Sequence, residues 1–200
     1  MSEMSKVGVL ALQGDVPEHL KVLRSIVGDQ RVIEIKTVED LSHVRAVALP
    51  GGESTTLSRL LDETGLREPL RERARKDLSV LATCAGLILI STEVERSPHG
   101  RDPRPLALLD VSVRRNDYGR QAESFETNIE VKGLEGGEFS AAFIRAPRIV
   151  RVGRSVEVLS SIDREPVMVR SGNLWGLTFH PEIGDDRRIH TYFLREAGIL

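Results

Sequence analysis

The chain has one cysteine in 200 residues, one tryptophan and only 4% aromatic residues. A lone cysteine excludes an internal disulfide framework. With the histidines scattered along the chain, it also leaves too few ligands for a zinc site, so no metal is expected. No apolar run approaches the ~20 residues needed to cross a bilayer. Charge of one sign is lacking as well. The formal net charge is -2, which points to no polyanionic partner and no nucleic acid. The first residues, Met1-Ser2-Glu3-Met4-Ser5-Lys6, show neither the basic nor the apolar stretch of a secretory signal. The expectation is a cytoplasmic enzyme or binding protein away from membranes. Hydrophobic residues make up 40% and charged residues 29%, enough for one domain over residues 1–200 with a substantial core.

What is present begins with Val7-Gly8-Val9-Leu10-Ala11-Leu12, a continuous apolar run of the kind found in strands buried on both faces. Gln13-Gly14 ends it. Asp15 then stands as a helix N-cap, with Pro17 in the first turn and Val16, Leu20, Leu23 and Val27 at helical spacing. Residues 31–36 and 46–49 read as further strands, with a short helix around Val38 to Leu41 and a charged helix over 66–76. Such alternation predicts an α/β fold: three layers, a mostly parallel central sheet and helices on both faces. After Leu106 short strands follow one another, several of them antiparallel: 111–113, 127–131, 141–144, 156–159, 167–169 and 174–179. A last helix is expected from about Asp186, burying Ile189, Tyr192 and Phe193.

Three stretches carry chemistry. Ala82-Thr83-Cys84-Ala85-Gly86 lies between an apolar strand and a helix, which is the layout of a nucleophile elbow with an exposed thiol. The bland alternative is a small buried hydrophobe. Pro50-Gly51-Gly52-Glu53-Ser54-Thr55-Thr56 also follows a strand and opens a helix. Its glycines suit an oxyanion or substrate cradle, with Ser54 as a possible cap, but a tight turn alone would also explain it. The lysine of a phosphate loop is missing. Phe179-His180-Pro181-Glu182 places an imidazole and a carboxylate two apart, on one face of an extended chain. A thiol, an imidazole and an orienting carboxylate make the usual reactive-cysteine set. Arg115, Arg120 and Arg145 stand near strand ends and could fork onto a carboxylate. His19, His43, His99 and His190 lack such companions and read as structural or exposed. Glu95 to Pro105 reads as a surface loop.

With these segments in hand, the chain resembles the triad-type glutamine amidotransferases over nearly all its length. Leu12-Gln13-Gly14, Arg115-Asn116-Asp117-Tyr118-Gly119-Arg120-Gln121 and Phe143-Ile144-Arg145-Ala146-Pro147 narrow the resemblance to the glutaminase subunits of pyridoxal 5'-phosphate synthases, and Ser124-Phe125-Glu126 matches as well. The resemblance implies Cys84 as nucleophile, His180 as base and acid, and Glu182 as orienting carboxylate. It implies an oxyanion hole at Gly52 and Ala85, and glutamine binding by Gly52, Glu53, Ser54, Arg115, Ile144 and Arg145. Gln13 and Gly14 fall where the partner subunit completes the site. L-glutamine is the implied substrate, and a synthase subunit using pentose and triose phosphates is the implied partner, so this chain is expected to need no cofactor. One departure is Ala82, where the elbow commonly has glycine. Rival readings are a glutaminase serving another synthase, a cysteine peptidase or thiol-based stress protein, and a non-catalytic binding module.

Overall fold

A computed structural model describes residues 6–95, 102–115 and 124–200. Its first half alternates strand and helix: β1 (Lys6–Leu10), α1 (Val16–Val27), β2 (Val32–Ile35), α2 (Val38–Ser42), β3 (Val44–Leu49), α3 (Ser54–Glu63), α4 (Arg67–Lys76), β4 (Ser79–Thr83) and α5 (Ala85–Ile90). The second half is strand-rich: β5 (Ser91–Val94), β6 (Leu109–Arg114), β7 (Ser124–Ile129), β8 (Phe139–Ile144), β9 (Arg148–Val152), β10 (Glu157–Ile162), β11 (Glu165–Ser171) and β12 (Leu174–Leu177), before α6 (Arg188–Glu196).

The central sheet runs β10-β11-β12-β4-β3-β1-β2. From β12 to β2 every pairing is parallel, and β10 and β11 extend the sheet antiparallel at one edge. Helices α1 and α6, with the β7–β8 hairpin, cover one face, where Leu20, Leu23, Phe139, Phe143, Trp175 and Phe193 pack together. Helices α3, α4 and α5, with the smaller β5-β6-β9 sheet, cover the other through Leu57, Leu61, Leu70, Leu87, Val111 and Ile149. Each fully buried side chain of this size stabilises the fold by about 1.5–3 kcal/mol relative to exposure. No helix among the described residues is long and apolar enough to cross a membrane.

The predicted architecture therefore holds, with local differences. The segment after Cys84 is a helix of only six residues, Ala85–Ile90, and β5 follows at once. Every residue of α5 is buried, so it carries no polar stripe to reveal its length. Strand β9 was not expected. The late strands 156–159, 167–169 and 174–179 correspond to β10–β12, which pair antiparallel with one another and extend the main sheet. Ser54 is not the cap of α3. Glu53 is, its carboxylate accepting from the N–H groups of Thr55 (3.1 Å) and Thr56 (2.6 Å). The reach of one more methylene lets Glu53 satisfy two N–H groups from the preceding position. Of the Glu95 to Pro105 loop, residues 96–101, including His99, lie outside the described residues, as do 116–123 with Arg120. Arg104 of that loop is tied to Asp62 at 2.7 Å.

Candidate active site

Strands β4 and β12 are parallel neighbours, with Thr83 opposite Leu177. The ladder continues one step further, the Cys84 N–H donating to the Leu177 carbonyl at 2.9 Å. Both strands thus release their chains at the same lip of the sheet. Cys84 turns there at φ 48°, a left-handed conformation that non-glycine residues adopt under constraint and that recurs at functional turns. The next residue begins α5. Gly86 makes this possible, because a Cβ at that position would collide with the Leu49 carbonyl of β3. Ala82 lies inside β4 with its methyl in the core, so the elbow keeps its turn without a glycine there. The thiol is not exposed as expected. Cys84 is 7% accessible, and its sulfur lies 3.9 Å from the Ile144 carbonyl.

Past β12 the chain crosses to β8, where the His180 N–H donates to Ala142 O at 2.8 Å. The Ile183 N–H then closes a turn onto the His180 carbonyl at 3.3 Å. This turn, not an extended strand, brings Glu182 onto the imidazole: Nδ1 to Oε1 is 2.7 Å. Pro181 suits such a turn, since it fixes its own φ and needs no N–H partner. The second ring nitrogen, Nε2, is buried and makes no hydrogen bond among the described residues. It is the nitrogen left to the thiol, which lines the same cleft.

The electrostatics follow from this burial. Desolvation opposes a charged His180, but the Cys84 sulfur and the Glu182 carboxylate outweigh it and raise the ring to about 10. Desolvation would likewise raise Glu182, yet His19 and His180 hold it down at about 2. Asp15 occupies the N-cap position of α1 but makes no capping bond. Its carboxylate turns instead toward His180 Nδ1, 3.4 Å away, and burial raises it. Asp15, His180 and Glu182 each bring a potential ligand atom within 4.8 Å of the others, the one such group among the described residues. The tight His180–Glu182 hydrogen bond already occupies two of those atoms.

The cleft is about 160 Å³, smaller than the roughly 300–1,000 Å³ of drug-sized sites, and suits a single amino acid. Gly52, Glu53, Ser54, Cys84, Ala85, Arg115, Ile144, Arg145 and His180 line it, together with Asp15, Ile88 and Ile183. Arg115 donates to Glu53 (3.2 Å) and Thr55 (3.4 Å). Arg145 is exposed and held at φ 44°. Gln13 and Gly14 do not line the cleft. They lie behind Gly51 and Gly52, where the two loops cross so closely that a Cβ on Gly14 would collide with the Gly51 carbonyl. Gln13 Oε1 accepts from the Glu53 N–H at 2.8 Å.

The sequence model of the SNO glutamine amidotransferase family matches residues 9–198. The chain belongs to that family. Among relatives, it is 48% identical over 189 residues to a pyridoxal 5'-phosphate synthase subunit PdxT from Thermotoga sp. (strain RQ2), covering 94% of this chain and 97% of the relative. A subunit of the same name from Methanoregula boonei is 47% identical, covering 97% of this chain and all of the other, 100%. A crystal structure of a glutamine amidotransferase superposes with TM-score 0.88 at 43% identity, covering 96% and 98% of the two chains. PurLQS from Thermotoga maritima shares the fold at TM-score 0.70 and 14% identity, covering 96% and 99%.

Sequence reasoning gave Asp15 only a capping role and read His19 and His190 as structural or exposed; both rings are buried behind Glu182. His19 Nε2 lies 3.4 Å from Glu182 Oε2, and its Nδ1 meets His190 Nε2 at 3.2 Å. His43 is exposed, as read. A signal was available for the other two: each titratable ring falls within the apolar stripe of its helix, His19 beside Leu20 and His190 beside Ile189.

Proposed function

We propose that this family member hydrolyses L-glutamine to L-glutamate and ammonia, as the glutaminase subunit of a cytoplasmic pyridoxal 5'-phosphate synthase. The observation that carries this reading is that Cys84 and His180 line one cleft of amino-acid size at a sheet lip, with Glu182 hydrogen-bonded to the imidazole from behind. The Cys84 thiol gives its proton to His180 Nε2, and its sulfur attacks the side-chain amide carbon of glutamine. N–H groups of Gly52 and Ala85 stabilise the oxyanion, an effect of about 3 kcal/mol per donor in such sites. The carbon–nitrogen bond breaks as His180 Nε2 gives its proton to the departing nitrogen, and ammonia leaves a γ-glutamyl thioester. The now neutral ring takes a proton from water, the hydroxide displaces sulfur, and glutamate departs with the thiol restored. Glu182 keeps Nδ1 protonated throughout, so Nε2 is always the nitrogen facing the reaction. Arg115 and Arg145 hold the α-carboxylate, while Glu53 and Ser54 line the same end. None of this requires a cofactor or a metal.

Ammonia released into neutral water becomes ammonium and loses its nucleophilic lone pair. A second protein must therefore receive it directly, and the names of the relatives point to the synthase subunit. Gln13 and Gly14, at the loop crossing behind Gly52, are the proposed point where that partner completes the site. The test is glutamate release and glutamine-dependent pyridoxal 5'-phosphate formation, with and without the synthase subunit, for wild type and Cys84→Ser. Turnover that depends on Cys84 and rises with the partner supports the reading. Glutamine hydrolysis undiminished in Cys84→Ser, or cofactor synthesis indifferent to this chain, overturns it.

A further inference from the structure

Behind the triad carboxylate stand two imidazoles that the reaction above does not use. His19 of α1 and His190 of α6 are both fully buried. His19 Nε2 lies 3.2 Å from Thr83 Oγ1, at the end of β4, and 3.4 Å from Glu182 Oε2. His19 Nδ1 lies 3.2 Å from His190 Nε2, the rings meeting edge to face. Glu182 Oε1 is taken by His180, whereas Oε2 is sealed from water and accepts no conventional hydrogen bond among the described residues. A buried anionic oxygen in that position is costly unless an N–H points at it.

These contacts fix where the protons sit. An ionised carboxylate only accepts, so a bare Nε2 lone pair on His19 would be repelled by Oε2. The His19 proton therefore belongs on Nε2, where it meets Thr83 Oγ1 at 3.2 Å with Glu182 Oε2 3.4 Å away. His19 Nδ1 is then an acceptor, and His190 Nε2 must carry the hydrogen that meets it. His190 Nδ1, buried and without a hydrogen-bond partner among the described residues, is left as the bare nitrogen of a neutral ring. Burial favours one proton per ring. It lowers His19 despite the pull of Glu182, and burial and then His19 lower His190 to about 3. Facing Glu182 are His180, His19 and, further off, Asp15 and His190. Glu18 also faces His19, and Arg187 faces His190.

We propose that His19, oriented by His190, is a positioning residue of the glutaminase: its Nε2–H anchors Oε2 of Glu182, so that Oε1 stays on His180 Nδ1. The proposal rests on the glutaminase reading and extends its line of polar contacts two residues deeper, from Cys84 through His180 and Glu182 to His19 and His190. Anchoring matters here because Asp15 Oδ2 waits 3.4 Å from the same Nδ1. A Glu182 left loose would yield the ring to that half-exposed carboxylate and turn Nε2 away from the sulfur.

The test compares His19→Leu, His19→Gln, His19→Asn and His190→Leu in complex with the synthase subunit. Two quantities are read against pH: glutamate release, and alkylation of Cys84 by iodoacetamide, followed by mass spectrometry on the Cys84 peptide, this chain having no other cysteine. His19→Leu is expected to lower kcat about tenfold, the size of one lost hydrogen bond to a charged group, with KM for glutamine little changed. The acid limb of alkylation should move to higher pH, since a less supported Glu182 favours the imidazolium less. Glutamine at position 19 places an N–H where Nε2–H stood and should recover most of both effects. Asparagine, whose N–H falls at the Nδ1 position, should not. That contrast stands even where the leucine variant folds poorly. His190→Leu should shift the limb less, because His19 keeps a proton to place.

An unmoved alkylation profile in His19→Leu, or equal behaviour of the Gln and Asn variants, overturns the proposal and assigns the pair to packing alone. Failure of the glutaminase reading looks different. Wild type would then release no glutamate, or Cys84→Ser would release as much, while the alkylation profiles would still judge His19.

Discussion

Two carboxylate–cation pairs face the same cleft from opposite surroundings. Glu182 and His180 meet at 2.7 Å with side chains 0% and 4% exposed, whereas Glu53 and Arg115 meet at 3.2 Å with side chains 50% and 19% exposed. The inner pair has no water to fall back on, so each member sets the protonation of the other. At the rim, water screens the attraction. Burial there opposes a charged Glu53, and the N–H groups of Thr55 and Thr56, rather than Arg115, are what keep it ionised. The same pairing of carboxylate and cation is sealed in one place and wet in the other, and depth alone makes the difference.

The largest expected effect breaks the inner pair. Glu182→Gln should lower kcat by about 10²–10⁴, as removal of an orienting carboxylate does in triads, while KM for glutamine changes little. Steady-state glutamate release measures both. Next is pH. Glu182 sits near 2 in the fold against an ordinary 4.5, so its stabilisation is present above 4.5 and fades as pH falls toward 2. His180 sits near 10 against 6.5, so its contribution is full below 6.5 and is lost as pH rises through 10. His190, lowered to about 3, takes up a proton only on unfolding and destabilises the fold as pH drops below 6.5. Thermal unfolding should therefore peak near pH 6.5, and His190→Leu should flatten the acid side. A flat acid side in wild type would break the contrast with the rim.

Smaller effects belong to the rim. Arg115→Ala should raise KM for glutamine about tenfold with kcat nearly intact, and shift stability by less than about 1 kcal/mol. A loss of kcat comparable to that of Glu182→Gln would erase the distinction between the pairs. Smallest is Glu53→Ala, which removes the cap of α3 and should lower unfolding free energy by about 1 kcal/mol in a denaturant titration.

The parallel half was legible because its strands are unbroken apolar runs, Val7 to Leu10 and Ala46 to Leu49, set between helices that announce their ends. The strand-to-helix turn at Cys84 and the contact of His180 with Glu182 were legible because small residues flank the cysteine and the two side chains stand only two apart. Strand β5 was hidden because Ser91 follows α5 with no breaking residue between them. The pairing of β12 with β4 could not be read at all, for Trp175 and Leu81 are joined only by the sheet. His19 was read as structural or exposed, and it is buried; its approach to Glu182 could not be read because only the fold brings α1 to that carboxylate. Glu53 was passed over as a cap because Ser54, beside it, is the commoner capping type.

The sulfur and the imidazole depart from adjoining rungs of one ladder, Cys84 after β4 and His180 soon after β12. Their meeting is therefore insured against change elsewhere. Insertions or deletions in the surrounding loops can reshape the doorway, the clientele and the docking of other proteins without altering the encounter at the centre.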